Sequence, residues 1–165
     1  VLCRSMFSPT AADQQALKSL LKYIKGTVSY RLHLGTAQSG LSAYSESSYA
    51  NCKLTDRRTA GHSLFYKGGA VDWKSQLQRT VAFNTAEVEY IAAANAVRDT
   101  QGIVHLLQET SLLSDSLIQL FIDNMAAKYM AESNASGSCT RHIAIRFHYI
   151  RDMVSAAKLK VIHIL

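Results

Sequence analysis

The stretch from Thr85 to about Gln108 is rich in alanine and contains no helix-breaking residue except Gly102. Such a run predicts one long α-helix, because alanine has the highest helix propensity and proline is absent. Ahead of it, apolar and polar residues alternate along Leu41–Ser45, and two apolar segments flank the glycine-rich turn Lys67–Gly69. These patterns predict β-strands, and the two strands that flank the glycine-rich turn are predicted to form a hairpin. The chain is therefore predicted to combine antiparallel strands with a long helix.

The second half of the chain alternates apolar strands with helical patterns. Leu117–Ile122 predicts a short buried strand, and Leu159–Leu165 predicts another apolar strand. Helical patterns at Met125–Met130 and Ile143–Ala157 lie between these two strands. Since helical crossovers join parallel strands, the later strands are expected to pair in parallel. The fold class predicted from the residues is α/β, with a mixed sheet flanked by helices.

The N-terminal part of the chain predicts a separate amphipathic helix. Ser8 is the expected N-cap, Pro9 suits the first helical position, and Gly26 is expected to end the helix. After it, Tyr30–Leu34 alternates between apolar and polar residues and predicts a short additional strand.

The composition narrows the class of protein and of partner. Hydrophobic residues make up 48% of the chain, which can bury a core and excludes disorder. Lys and Arg exceed Asp and Glu by 18 to 12, and the resulting net charge of +6 fits a polyanionic partner such as nucleic acid. No apolar stretch reaches the roughly 20 residues of a membrane span, and the 3 cysteines show no CxxC spacing. We expect an intracellular protein without a membrane partner.

Three acidic residues stand out by their positions at predicted element ends. Glu46 lies at the end of the first sheet strand, Asp123 follows the buried strand, and Glu89 lies in the first turns of the long helix. Carboxylates that converge at one edge of a sheet select hard cations such as Mg²⁺. A pair of such ions activates water at a phosphodiester bond. The alternative is that each acid is an ordinary surface residue.

Several ordered motifs resemble the ribonuclease H domain of Ty1/copia retrotransposons. They are Ala43–Ala50, Asp56–Gly61, Gly68–Ser75, Asn84–Ala92, Asp123–Asn124, Arg141–Ile143 and Arg146–Arg151. The helix from Ser8 to Thr27 is similar to the end of the reverse transcriptase of the same polyprotein. The resemblance implies a helical tail over residues 1–28 and a ribonuclease H-like domain over residues 29–165. It further implies a five-stranded mixed sheet in the order 3-2-1-4-5, with helices on both faces.

The resemblance also implies an activity, which is cleavage of the RNA strand of RNA/DNA hybrids with two Mg²⁺, or Mn²⁺, held by four acids. Glu46, Glu89 and Asp123 are the implied catalytic and metal-binding residues. Glu46 stands where the family has Asp, and the fourth acid, on a helix after the last strand, is expected to be absent from a truncated domain. Because metal geometry tolerates little displacement, this copy is expected to be impaired or inactive.

Candidate substrate-binding residues surround the acids in the sequence. They are Asn124, Arg57, Arg58, Arg141 and His142, with solvated surface charge as the alternative for the basic ones. The expected partners are an RNA/DNA hybrid or other nucleic acid and the reverse transcriptase domain, in a cytoplasmic retroelement particle or the nucleus. Self-association through the C-terminal edge strand is a further expectation. The alternative function is a non-catalytic nucleic-acid-binding or protein-interaction remnant.

Overall fold

The computed structural model describes residues 2–35, 40–48, 57–78, 84–113, 117–133 and 144–164. The chain divides into two compact units, Val1–Leu32 and His33–Leu165. The first unit contains a 3₁₀-helix at Leu2–Ser5 and helix α1 at Ala11–Gly26.

The N-cap of α1 is Thr10, so the prediction of Ser8 is wrong. The Thr10 hydroxyl accepts a hydrogen bond from the backbone N–H of Asp13 at 3.2 Å, and the Asp13 carboxylate accepts one from the Thr10 N–H at 2.9 Å. This reciprocal capping box satisfies two N–H groups at the helix start, which Ser8, too far from the first turn, does not reach.

The strand predicted at Tyr30–Leu34 is also wrong. These residues have no regular secondary structure, and Tyr30, Leu32 and Leu34 are exposed. None of the described strands pairs with them, and an alternating pattern forms a strand only where a partner takes up its backbone hydrogen bonds. His33 and Leu34 instead lie against the hairpin at Gly69, where an added Cβ would stand 2.7 Å from Leu34 Cδ2. A residue without a side chain is therefore needed at position 69.

The second unit is built on a five-stranded mixed sheet, as predicted. Its strand order is β3-β2-β1-β4-β5. The pairs β1–β2 and β2–β3 are antiparallel, and the pairs β1–β4 and β4–β5 are parallel. The strands are β1 (Leu41–Ser48), β2 (Thr59–Tyr66), β3 (Gly69–Leu77), β4 (Ile118–Ile122) and β5 (Leu159–His163).

Three helices complete this unit, and they pack on one face of the sheet. They are α2 (Thr85–Glu109), α3 (Met125–Glu132) and α4 (Ala144–Ser155). The strand residues beneath them, including Ala43, Leu64, Leu120 and Val161, form the hydrophobic core. Helices were expected on both faces, and among the described residues only this face is covered. None of the described helices is both long and apolar enough to cross a membrane.

Candidate functional site

The site lies where the two central parallel strands stop pairing. The register between β1 and β4 ends at Tyr44 and Phe121, and both strands then continue toward the same edge of the sheet. Glu46 is two residues beyond Tyr44, and Asp123 is two residues beyond Phe121. Because the two strands run in the same direction, their carboxyl ends bring Glu46 and Asp123 to one edge.

Glu46 and Asp123 line the same cavity, which has a volume of about 360 Å³. Both side chains are exposed. Tyr44 and Phe121 form an aromatic wall of this cavity, and Gly61 lies opposite Glu46 in the β1–β2 register. The structure therefore places Glu46 and Asp123 together at one cavity.

Glu89 reaches the same edge of the sheet from the helix side. Glu89 lies in the early turns of α2 and is only 8% exposed. Ser47 points toward α2 because successive residues of a strand face opposite sides. The Ser47 N–H donates to both carboxylate oxygens of Glu89, at 3.2 and 3.0 Å, and the Ser47 hydroxyl donates at 2.6 Å. Glu89 is thus tied to the residue that follows Glu46.

The three acids interact electrostatically. Burial raises the pKa of Glu89 above its ordinary value, and the hydrogen bonds from Ser47 oppose this shift without cancelling it. The negative charges of Asp123 and, to a smaller degree, Glu46 raise the pKa further. A cation bound between these carboxylates would relieve the repulsion between their like charges.

The carboxylates of Glu46, Glu89 and Asp123 suit a hard divalent cation, but as they are placed they do not form a complete metal site. All three candidate ligands are carboxylate oxygens, which Mg²⁺ and Mn²⁺ prefer. Among the residues that the structure describes, no three His, Cys, Asp or Glu side chains are grouped so as to hold a metal ion. The carboxylate of Glu89 is occupied by Ser47, on the opposite side of β1 from the cavity that Glu46 and Asp123 line.

The candidate substrate-binding residues fall into three groups. Arg57 and Arg58 directly precede β2, whose first residue, Thr59, pairs with Ser48, so both arginines lie at the edge that carries Glu46. Asn124 has a structural role, because its side-chain oxygen accepts a hydrogen bond from Ala127 N–H at 3.0 Å and caps α3. The remaining two, Arg141 and His142, lie outside the described residues.

The sequence-based interpretation missed a charged cluster beside the cavity. His62 Nε2 is buried, has no hydrogen-bond partner, and lies 3.7 Å from carboxylate oxygens of both Asp72 and Asp99. Lys74 forms an ion pair with Asp99 at 3.0 Å. His62, Asp72 and Lys74 share one face of the hairpin, a relationship that the β2–β3 register creates and residue spacing alone does not reveal.

The chain is similar to polyproteins of plant transposons, although no family model matches it. It is 30% identical over 164 residues to the retrovirus-related Pol polyprotein from transposon TNT 1-94 of Nicotiana tabacum. It is 31% identical, again over 164 residues, to the corresponding polyprotein from transposon RE1 of Arabidopsis thaliana. Each match covers 99% of this chain, and the chain spans only 12% and 11% of the two polyproteins.

Two solved structures of LC11-RNase H1 share the fold. One has a TM-score of 0.55 at 15% identity and covers 77% of this chain and 85% of that protein. The other, in complex with an RNA/DNA hybrid, has a TM-score of 0.52 at 14% identity over 76% of this chain and 85% of that protein. The resemblance seen in the sequence motifs is confirmed. Over nearly its whole length the chain is similar to one segment of the retrovirus-related Pol polyproteins of transposons, and it has the fold of a ribonuclease H domain.

Proposed function

We propose that this chain is the ribonuclease H domain of a Ty1/copia-type polyprotein, acts next to its reverse transcriptase domain, and binds RNA/DNA hybrids with weak or absent hydrolysis. The fold that it shares with LC11-RNase H1, which has been captured with such a hybrid, supports the ligand class. The net charge of +6 favours a polyanionic ligand.

One observation carries the proposal, namely the convergence of Glu46 and Asp123 on one cavity beside the charge-coupled Glu89. Three carboxylates at a sheet edge are the donor set for Mg²⁺ or Mn²⁺. When bound, such ions supply positive charge for a phosphodiester group and lower the pKa of a coordinated water. The protein side chains would hold the ions, while Arg57 and Arg58, at the same edge, would contact phosphates of the hybrid.

Impaired hydrolysis follows from two features of the acids. Glu89 directs its carboxylate to three hydrogen bonds from Ser47, so ligation of a metal would require it to give up at least part of this contact. Glu46 is one methylene longer than the Asp that the family resemblance implies. A misplacement of about 1 Å in a reacting group costs on the order of 100-fold in rate. Binding without chemistry is therefore the second candidate function, and the absence of a three-ligand group among the described residues favours it.

The test is a cleavage assay on a labelled RNA/DNA hybrid with Mg²⁺ or Mn²⁺, together with a binding titration in EDTA. We expect the protein to bind the hybrid and to cleave it slowly or not at all. The variant Glu46→Asp shortens the side chain to the length implied by the family and is expected to raise the cleavage rate by up to about 100-fold. Asp123→Asn is the matched control, because it keeps the shape of the side chain and removes its charge.

Each outcome decides between the alternatives. Rapid cleavage by the unmodified chain that Asp123→Asn abolishes would overturn the impairment. Hybrid binding with no cleavage, even by Glu46→Asp, favours the binding-only function. Failure to bind the hybrid at low salt would overturn the proposed function as a whole.

A further inference from the structure

Gln78 is a buried glutamine at the edge of the sheet that carries Glu46. It directly follows β3, and its backbone N–H donates to the carbonyl oxygen of Arg58 at 2.8 Å. This bond extends the β2–β3 pairing by one residue beyond Thr59 and Leu77, the register partners at that end. Gln78 is only 4% exposed. A buried amide is costly unless its polar groups are hydrogen-bonded, so the contacts of this side chain determine what it does.

The side chain of Gln78 reaches helix α2. Its Nε2 group donates a hydrogen bond to the carbonyl oxygen of Val88 at 3.0 Å. A carbonyl oxygen has two lone pairs, so Val88 accepts this bond in addition to a bond within the helix. Only the nitrogen of the amide makes this contact, because a carbonyl oxygen needs a donor. Gln78 therefore fastens the end of β3 to the early turns of α2.

Val88 immediately precedes Glu89, the acid on the helix side of the site. The Val88 carbonyl and the Glu89 N–H belong to one planar peptide unit, which ends at the Cα atom of Glu89. A hydrogen bond to this carbonyl therefore fixes the point from which the Glu89 side chain starts. Glu89 is thus held twice, through its backbone by Gln78 and at its carboxylate by Ser47.

The two contacts differ in what they leave free. The hydrogen bonds from Ser47 occupy both carboxylate oxygens of Glu89, and a cation would compete for the same oxygens. The hydrogen bond from Gln78 occupies no atom of that carboxylate. It is therefore able to persist when the carboxylate leaves Ser47, and it then keeps the backbone of Glu89 at the sheet edge.

The oxygen of the Gln78 amide argues against a role in packing alone. Gln78 Oε1 is buried, and no donor among the described residues reaches it. An unsatisfied buried acceptor lowers stability, and an apolar side chain of the same length, such as methionine, would fill the position without this cost. Glutamine is therefore ill suited to fill the core here, but it is well suited to hold a carbonyl group in place.

We propose that Gln78 is a positioning residue for Glu89. It holds the backbone of Glu89 at the sheet edge, so that the carboxylate exchanges Ser47 for a divalent cation without displacing α2. Gln78 acts through Glu89 and is not itself a ligand. The inference rests on the proposed function insofar as that function makes Glu89 a metal ligand.

The experiment measures the binding of Mn²⁺ to the full chain by electron paramagnetic resonance of the free ion, without nucleic acid and without cleavage. Gln78→Met keeps the length of the side chain and removes the amide. We expect this variant to bind Mn²⁺ about tenfold more weakly than the unmodified chain, the lower end of the range for groups that hold a metal ligand. Gln76→Met makes the same substitution at an exposed residue of β3 and should bind like the unmodified chain.

A second readout does not depend on a metal. In EDTA, the NMR resonance of the Glu89 amide should shift in Gln78→Met, because this amide shares a peptide unit with the Val88 carbonyl, and should not shift in Gln76→Met. Urea denaturation in EDTA should give nearly equal free energies of unfolding for Gln78→Met and the unmodified chain, since the lost bond and the removed unsatisfied oxygen offset each other. A purely structural residue would show lower stability and unchanged Mn²⁺ affinity.

Gln78→Asn keeps the amide but is one methylene shorter, so it should not reach Val88 and should also weaken Mn²⁺ binding. It decides the question if Gln78→Met does not fold. Unchanged Mn²⁺ affinity in the folded variant, an unshifted Glu89 amide, or no binding of Mn²⁺ by the unmodified chain would overturn the inference.

Binding of the RNA/DNA hybrid in EDTA, followed by anisotropy of a label on the hybrid, tests the proposed function separately because no metal takes part. Hybrid binding without an effect of Gln78 on Mn²⁺ affinity overturns only the inference. An effect of Gln78 without hybrid binding overturns only the proposed function.

Discussion

Ser47 donates three hydrogen bonds to the carboxylate of Glu89, two from its backbone N–H and one from its hydroxyl. The contact joins residues 42 positions apart and fastens the start of α2 to the end of β1. It also fixes the position of Glu89, on the helix side of the sheet, relative to Glu46. Glu46 directly precedes Ser47 in the chain and faces the cavity. The candidate site is therefore organised around β1, with acids on both of its faces.

The Ser47 hydroxyl is expected to contribute substantially to stability. Ser47→Ala removes a buried hydrogen bond of 2.6 Å to a carboxylate, and hydrogen bonds to charged groups contribute about 1.5–3 kcal/mol. We expect the free energy of unfolding to fall by about that amount in urea denaturation. Ser155→Ala, at an exposed serine, is the control and should change little. Equal stabilities of Ser47→Ala and the unmodified chain would contradict the contact.

Glu89 is expected to make the fold less stable as the pH rises. Burial and the neighbouring acids raise its pKa in the folded state, so the folded chain binds a proton more readily than the unfolded chain. The free energy of unfolding therefore decreases as the pH rises from the unfolded pKa through the folded pKa. Glu89→Gln carries no charge and should be more stable than the unmodified chain at pH 7, in EDTA.

Thermal denaturation at pH 7 and pH 4 measures this effect. The gain from Glu89→Gln should shrink at pH 4, where Glu89 in the folded chain is protonated. Glu109→Gln, at an exposed position of the same helix, controls for the substitution itself. A gain of the same size at both pH values would show that ionisation of Glu89 is not its source.

Asp99 is expected to have the opposite pH dependence. Burial raises its pKa, but hydrogen bonds and ion pairs with Lys74 and Arg98 outweigh burial and hold the pKa below its ordinary value. Its stabilising effect is therefore full above the unfolded pKa and is lost as the pH falls through the folded pKa. Asp99→Asn should cost about 1 kcal/mol at pH 7, the upper range for partly exposed ion pairs.

Urea denaturation across acidic pH checks this prediction, and Asp152→Asn, at an exposed site, is the control. The two stability curves of Asp99→Asn and the unmodified chain should converge at low pH. A constant gap between them would rule out the ion pairs as the cause.

Asn124 is expected to serve both the fold and the substrate. Its side-chain oxygen caps α3. The N–H₂ group of the same amide is a hydrogen-bond donor that a substrate could use. Asn124→Ala should lower the free energy of unfolding by about 1 kcal/mol, whereas Asn124→Ser, another good N-cap, should nearly preserve it. Because serine lacks the amide, Asn124→Ser should still weaken hybrid affinity, measured by anisotropy. Affinity unchanged in Asn124→Ser would leave Asn124 with the capping role alone.

Short sequence patterns predicted most of the helices and strands, because these elements depend largely on residues that are close together in the chain. The alanine-rich run became α2, the glycine turn became the β2–β3 hairpin, and Leu117–Ile122 contains β4. Tyr30–Leu34 alternates just as well and forms no strand. Whether an alternating segment becomes a strand depends on a partner for its backbone groups, and the pattern of one segment carries no information about that partner.

The sequence alone determined the fold class and singled out Glu46, Glu89 and Asp123 as candidates, since periodicity, turn residues and residue type are properties of short segments. Tertiary structure decided which side of β1 each acid occupies and that Ser47 holds Glu89. It also brought Gln78, at the end of β3, to the carbonyl of Val88 in α2. These relationships depend on strand register and on the packing of α2, which join residues far apart in the chain, so no local pattern encodes them.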